Sequence, residues 1–536
     1  MASPEVESKT ESKNEPVSAE VNVPVALRSR VISKRAADVT LELVEKYGDS
    51  FEPLTPNAER RLRWKLYLWI VGLVSVVNLW LFIDKATLAY GSLLGIFEET
   101  GLTDTEYNNL NTLFYTGYII AQAPGHYLIQ RLPLGKFVAA TIFVWSLIVF
   151  LHCTAKSYGA LIPLRFFLGF SESVLVPAME MTMNMFFTPS EVIRVQPVFW
   201  IACMGSPIPA GFVAYGLLFS KSSVLPWKFF MIITGGVSFL LAIYSWFYYP
   251  DNPTKAKFLS LEEKFHTIQR VHHATKSSIE QKTFKPYQVR EALTDPVSWL
   301  FTLAVFCLMI ANNLAYQQNL LFLKIGVSDL GSTLVSVAGG GFAVVCCIVA
   351  TIGLTYFRNR SAFWGTFWCL PAVAGGIGMV ALDWDKKISL LACMLLAGNT
   401  FGITYIVALG WTSTSAGGYT KKLVRNVLWM GGYGVSNIIS PQIWVARDAP
   451  RYYGAWIAQI VVSWVGTPLC LLAIHWILSR RNKERREWIA AQEALGNKPT
   501  GLVEESDDEG KAVNVEVDIS LLDLTDLENK YFIYEL

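Results

Sequence analysis

Residues 66–85, LYLWIVGLVSVVNLWLFIDK, form an apolar stretch that carries no charge until Asp84 and Lys85 stand side by side near its end. A bilayer core needs about 20 such residues in one helix, so the stretch reads as a membrane span. Charges at membrane depth are expensive, and an acid and a base placed there mark the span as functional rather than as a simple anchor.

The pattern recurs along the 536-residue chain, which is 52% hydrophobic and 16% charged. That balance excludes disorder and argues against an ordinary soluble enzyme. Further apolar stretches fall at 110–130, 137–155, 160–183, 196–219 and 227–249, and then, beyond a polar loop at 250–296, at 297–316, 333–356, 362–382, 388–410, 424–445 and 453–478. The expected fold is an all-α membrane protein of twelve transmembrane helices. Six lie in an N-terminal bundle (63–249) and six in a C-terminal bundle (297–478), flanked by tails at 1–62 and 479–536. Such a repeat of six spans about a loop suits a secondary transporter, with its site at the bundle interface.

Basic residues near the span ends set orientation. Arg60, Arg61, Arg63 and Lys65 precede the first span, Lys421, Lys422 and Arg425 open the eleventh, and Arg480, Arg481, Lys483, Arg485 and Arg486 follow the twelfth. Both tails and the central loop are therefore expected in the cytosol. The protein is expected to be a multi-pass protein of the plasma membrane, with the endoplasmic reticulum as the alternative. A formal net charge of +2 offers no reason to expect a nucleic-acid partner. The eight cysteines sit in or beside apolar segments with no C-x-x-C and no histidine at ligand spacing, which reads as packing and predicts no metal or other cofactor. No nucleophile–base pairing appears in a plausible context, so an enzyme is not expected.

The fourth span, LIPLRFFLGFSESVLVPA, puts Arg165 and Glu172 seven residues apart on one helix face, roughly 10 Å along the axis, with Gly169 leaving a gap between them. Asp84, Lys85, Arg165 and Glu172 are expected to share one cavity. Asp84 and Glu172 are the candidates for proton coupling, and Lys85 and Arg165 for holding a substrate anion, an arginine fork being suited to a carboxylate. The alternative is that the four charges merely neutralise one another. The seventh span carries ANNLAYQQNLLF, in which Asn312, Tyr316 and Asn319 recur at helical spacing and Asn313 and Gln317 form a second i, i+4 pair; the amides supply both donors and acceptors, as a zwitterion requires. Asn399 and Tyr405 in the tenth span, with Asn437 in the eleventh, are further candidates; amides of this kind also glue helices together.

Several stretches together resemble the fungal allantoate permease family, a branch of the anion:cation symporters in the major facilitator superfamily: Asp84-Lys85, RFFLGFSE, WKFFMIITGG, YYPDNPTKAKFLSLEEK, SAGGYTKKLVRN and NIISPQIWVARDAPRYYGAW. The resemblance implies an importer driven by the proton gradient, with Asp84 and Glu172 handling protons and Lys85 and Arg165 binding the substrate anion. It also implies a gating loop in GHYLIQRLPLGK, where Gly125, Arg131, Gly135 and Lys136 remain but the superfamily's usual acid is missing. Many relatives have arginine where this chain has Lys85. The expected activity is symport of a proton with a small amino or carboxylic acid. Cysteine is the first expectation, because finer stretches such as ACMGSPIPAGFVAYG and the closing DLTDLENKYFIYEL resemble a cysteine-carrying member of the family. Allantoate, nicotinate, pantothenate or a sulfonate are alternatives within transport, and a non-transporting nutrient receptor is the alternative from another class. The expected partners are the substrate, the proton and the bilayer, with a monomer as the default.

Overall fold

The computed structural model describes residues 51, 54–275, 285–356, 359–495, 500–506, 512–518 and 524–536. Most of the tail expected over 1–62 lies outside the described residues. Twelve long helices cross the apolar layer. In the first half they are α1 (Pro56–Lys85), α2 (Asp104–Arg131), α3 (Leu134–His152), α4 (Tyr158–Phe186), α5 (Pro189–Met204 continued by Pro207–Leu217) and α6 (Pro226–Tyr248). The second half has α7 (Pro296–Lys324), α8 (Asp329–Tyr356), α9 (Ser361–Ala381), α10 (Lys387–Thr414), α11 (Tyr419–Ile439) and α12 (Tyr453–Ala494).

Ten of the twelve are apolar enough by composition to cross a membrane unaided. The exceptions, α2 and α11, carry polar residues such as Asn108, Asn111, Arg425 and Asn437, and they pack against each other where the two halves meet. A second seam joins α5 to α8. Buried apolar side chains fall into two main clusters, one drawn mostly from residues 62–259 and the other from 297–534. An even number of spans returns the chain to its starting side, here called the terminal face; the other side is the distal face.

Four helices are interrupted inside the membrane layer. In α1 the break falls at Ala86 (φ −79°, ψ −2°), after which Thr87–Gly91 makes one more helical turn and residues 92–94 remain buried. The apolar path therefore continues past the acid–base pair, so Asp84 and Lys85, which end this helical segment, lie inside the span rather than at its limit. The Thr87 hydroxyl donates to the Asp84 carbonyl at 2.6 Å, satisfying one acceptor freed by the break. Helix α4 breaks after Glu172, α5 at Gly205-Ser206, and α7 between Met309 and Leu314, over Ile310–Asn313. Polar residues thus stand where the backbone is interrupted, the arrangement by which broken helices line a transport site.

Glycines bring helices into contact around this level. A Cβ on Gly169 would lie 1.9 Å from the Phe114 carbonyl oxygen, and one on Gly117 would lie 2.1 Å from that of Phe166. The gap expected at Gly169 is therefore filled by the backbone of α2.

On the terminal face each half carries its own brace. A loop helix, Leu261–Thr275, joins the first half through Glu263 to Lys65 (2.7 Å) and Arg270 to Glu191 (2.6 Å). A second, Pro286–Thr294, joins the second half through Glu291 to Lys421 (2.8 Å). Beside it lies a buried charge cluster. Lys421 also approaches Asp295 (3.3 Å) and Asp526 (2.8 Å), while Arg425 and Arg481 each reach Asp295 at 3.0 Å. Burial alone would raise the pKa of Asp295, but Lys421, Arg481 and Arg425 together hold it below the usual carboxylate value.

Asp526 belongs to the closing segment, residues 524–536, which folds back as a clasp. Its carboxylate also accepts from the Gly417 amide (3.1 Å) and the Tyr534 hydroxyl (2.7 Å), and Asn482 clamps the Tyr534 backbone from both sides (2.8 and 2.9 Å). Helix α12 runs to Ala494, so part of the expected tail at 479–536 is a helical extension. Two short antiparallel strands, β1 (Thr500–Ser506) and β2 (Ala512–Asp518), follow it.

Candidate functional site

The breaks surround a cavity of about 230 Å3 at the junction of the two halves. That is smaller than the roughly 300–1,000 Å3 of pockets that hold drug-sized ligands, and it suits a solute the size of an amino acid. Its wall is largely aromatic. Tyr115, Tyr118 and Tyr433 stand with ring centroids 6.1–6.2 Å apart, Tyr405 lies 5.8 Å from Tyr433, and Trp200 lies 5.9 Å from Tyr405. Lys85 is the one charged side chain lining the cavity among the described residues. Its ammonium lies 5.3 Å from the Tyr118 ring centroid and 4.8 Å from that of Phe82, so the aromatic faces hold it while its N–H donors remain available to an anion.

Asn312, Gln318, Asn319 and Asn399 complete the polar lining. Asn312 donates to the Tyr115 hydroxyl (3.1 Å) and to the side-chain Oδ1 of Asn437 (2.5 Å), which places Asn437 behind Asn312, outside the lining. Asn319 bridges Ala89 and Ser336, and Asn399 donates to the Leu395 carbonyl one turn back. Tyr316 faces the cavity, with its hydroxyl 3.2 Å from that of Tyr115. Two candidates on the same helix face elsewhere. The Gln317 amide donates to Asn108 at 2.5 Å, and Asn313 lies buried beside Ser440, which its backbone amide reaches at 3.1 Å. Helical geometry accounts for this: neighbours in sequence are about 100° apart, so one run of amides cannot all face one space.

The other expected charges do not line the cavity. Asp84 is fully buried and points to α6, where the Ser238 hydroxyl donates to it at 2.6 Å. Glu172 is fully buried with no hydrogen bond to either carboxylate oxygen among the described residues, and the Nε and Nη2 of Arg165 are likewise without partners. Glu172 lies within electrostatic reach of Lys85, Asp84 and Arg165, yet no direct ion pair joins any two of them among the described residues. The four charges are therefore neither a closed salt-bridge network nor four walls of one cavity. Lys85 faces the cavity, and the two carboxylates and the guanidinium stand behind it. A buried carboxylate that no cation touches directly can gain or lose a proton without breaking an ion pair.

The halves are bridged on the distal side of the cavity. Asp104 on α2 accepts from Lys324 (2.7 Å) and from the Tyr452 hydroxyl (3.1 Å), Asn108 donates to the Trp444 carbonyl (3.0 Å), and Tyr107 donates to that of Tyr316 (3.0 Å). At the opposite end the first turn of α3 is fixed to the end of α6 and the residues just after it, and α2 packs closely on α4. The Gly135 amide donates to Asp251 (2.9 Å), Lys136 donates to the Trp246 carbonyl over its ring, and a Cβ on Gly125 would lie 1.9 Å from Val174. Arg131 is exposed, stacked on Tyr127. Of the tyrosines that line the cavity, the sequence pointed to Tyr316 and Tyr405 but not to Tyr115, Tyr118 or Tyr433. Tyr115 and Tyr118 at i, i+3 in α2 carry a signal of their own, on the less apolar kind of span.

Two six-helix halves, broken helices and a small central cavity define a secondary transporter. The Major Facilitator Superfamily model matches residues 68–441, and the chain belongs to that superfamily. It is a multi-pass membrane transporter, not an enzyme. It is 49% identical to the high affinity cysteine transporter of Saccharomyces cerevisiae, a match covering 94% of this chain and 96% of that one. It is 55% identical to an uncharacterized transporter of Schizosaccharomyces pombe, over 90% of this chain and 85% of that one, and 27% identical to the allantoate permease of Saccharomyces cerevisiae over 99% and 96%. Among solved structures, a D-xylose-proton symporter shares the fold with a TM-score of 0.58 at 14% identity, covering 75% of this chain and 97% of that one.

Proposed function

We propose that the protein is a proton-coupled importer of a small amino acid or organic acid, cysteine first, in the plasma membrane, with the terminal face toward the cytosol. One observation carries the reading: a small cavity whose single charged lining residue, Lys85, is presented by a broken helix amid tyrosines and amides. A zwitterion fits such a site. Its carboxylate meets the Lys85 ammonium, its own ammonium meets amide oxygens and aromatic faces, and a short apolar or thiol side chain lies against Met204 and Met309. The relative that is 49% identical is a cysteine transporter, which supports cysteine among such solutes.

Asp84 and Glu172 are the proposed proton carriers, since both are buried carboxylates with no ion pair among the described residues. Arg165 acts from behind Glu172 to bias its charge, and Lys85 is the anion's ligand. Two pH units with about 100 mV would supply roughly 5 kcal/mol, enough to sustain accumulation of about three and a half decades. The test is uptake of radiolabelled cysteine into vesicles holding the purified protein under an imposed pH gradient, with allantoate, nicotinate and pantothenate as competitors. Concentrative cysteine uptake that is lost in Lys85→Met is expected. Absence of cysteine uptake, with one of the other acids taken up when it is the labelled solute, overturns the substrate, and uptake indifferent to the gradient overturns the coupling.

A further inference from the structure

Directly beyond the cavity, on its terminal side, stands a carboxylate that the site does not use. Val176 on α4 lines the cavity, and α4 runs toward the terminal face, so Glu180 lies one turn, about 6 Å, farther in that direction on the same face. On α5, which runs the other way, Trp200 lines the cavity and Gln196 lies one turn nearer the terminal face. The two join: the Gln196 amide nitrogen donates to the Glu180 carboxylate at 2.6 Å. The amide oxygen of Gln196 is buried with no partner among the described residues.

A glutamine is suited to a carboxyl that changes state. Its N–H donates to the ionised form and its C=O accepts from the protonated form, so either form keeps one bond. No cation occupies this place among the described residues. Helix α5 presents Gln196 and α10 presents Tyr405 within electrostatic reach, while Lys136 of α3 and Arg270 of the loop helix engage Trp246 and Glu191. A carboxylate without a cation at membrane depth is costly unless it has work to do.

We propose that Glu180 is the second proton station of the transporter, receiving on the terminal side the proton that Glu172 carries on the distal side. The inference rests on the proton-coupled reading above. Glu172 and Glu180 are eight residues apart, about 12 Å, too far for direct transfer, so water between them must relay the proton. One O–H bond breaks at Glu172 and one forms at Glu180. The Glu180 acid then gives the proton to water on the terminal side and returns to the carboxylate held by Gln196.

The test uses the full chain in vesicles with radiolabelled cysteine as probe and a pH-sensitive dye inside. Glu180→Gln is expected to keep cysteine counterflow, which needs no net proton movement, while gradient-driven accumulation falls roughly tenfold or more and cysteine-induced acidification disappears. Glu180→Asp, which keeps the acid, is expected to restore most of both. Accumulation and acidification at wild-type level in Glu180→Gln overturn the inference alone. Loss of counterflow as well, not rescued by aspartate, assigns the residue a structural bridge and also overturns it. A wild-type protein that exchanges cysteine without moving protons overturns the proton-coupled reading and this inference with it.

Discussion

Asp526→Ala should loosen the whole terminal face of the second half. Three buried or half-buried cations, Lys421, Arg425 and Arg481, are balanced there by three carboxylates, Glu291, Asp295 and Asp526. Asp526 and Lys421 have fully buried side chains, and the aspartate also holds the Gly417 amide and the Tyr534 hydroxyl. Removing one partner of a buried pair typically costs about 3–5 kcal/mol, because the remaining charge is left uncompensated. Lys421 keeps Glu291 at 2.8 Å and Asp295 at 3.3 Å, and the Arg481 side chain is 22% exposed, so the low end of that range, about 3 kcal/mol, applies. For a folding unit the size of one half, that corresponds to a fall of roughly 6–12 °C in melting temperature. The eight free cysteines provide the readout, since most are buried and react with a thiol-sensitive dye only as the protein unfolds. Asp526→Asn, which keeps the shape but loses the charge, should fall between wild type and alanine. A melting temperature for Asp526→Ala within about 2 °C of wild type would refute the argument that this carboxylate balances the cluster.

Three further outcomes follow from other features. Gly169→Ala places a methyl 1.9 Å from the Phe114 carbonyl oxygen and should cost at least the roughly 1–3 kcal/mol typical of overpacking, seen as a loss of monodisperse protein on size exclusion; Gly236→Ala, with nothing within 4 Å, should not. Asp104→Asn removes the charge that Lys324 and Tyr452 share across the halves, so a cysteine placed at Asn312 should label a few-fold faster from the distal side, and an unchanged rate would mean that the seal lies elsewhere. Because Asp295 has a depressed pKa, its stabilisation is fully present above the ordinary aspartate value of 3.8 and is lost as pH falls through the lower folded value. The difference in melting temperature between wild type and Asp295→Asn should therefore stay constant from about pH 7 to 5 and shrink below about pH 4.

The spans and their division into six and six were legible because lipid demands long apolar runs, and that demand leaves a signal in every window of the chain. The limits of α5 and α12 were less so. Helix α5 begins at Pro189, well before the apolar stretch at 196, and α12 runs on to Ala494, because both continue as amphipathic helices beyond the bilayer, where hydropathy no longer marks them. The interruptions were hidden for a related reason. Ala86 and Ile310–Asn313 are compatible with a continuous helix, and only packing in three dimensions selects the break. Of the four charges expected in one cavity, Lys85 lines it, while its sequence neighbour Asp84, about 100° round the helix, turns to Ser238. That Arg165 and Glu172 do not line it was not legible, since spacing along α4 says which residues share a face but not that α2 would cover that face at Gly169. The clasp is too short to read as a span, and although Phe532, Tyr534 and Leu536 pack on the second-half core, the contacts that place it are made by a carboxylate, a tyrosine hydroxyl and backbone carbonyls.

The paired braces bear on how the molecule could be divided. The helix at 261–275 is fastened to the first half and the helix at 286–294 to the second, so the covalent connection between the halves runs from one fastening to the other. Two separate polypeptides ending and beginning between those helices would each retain the ion pairs that finish their own terminal face. Co-expressed as fragments 1–275 and 285–536, they have the means to find each other through the α2–α11 and α5–α8 seams, as subunits of a dimer would.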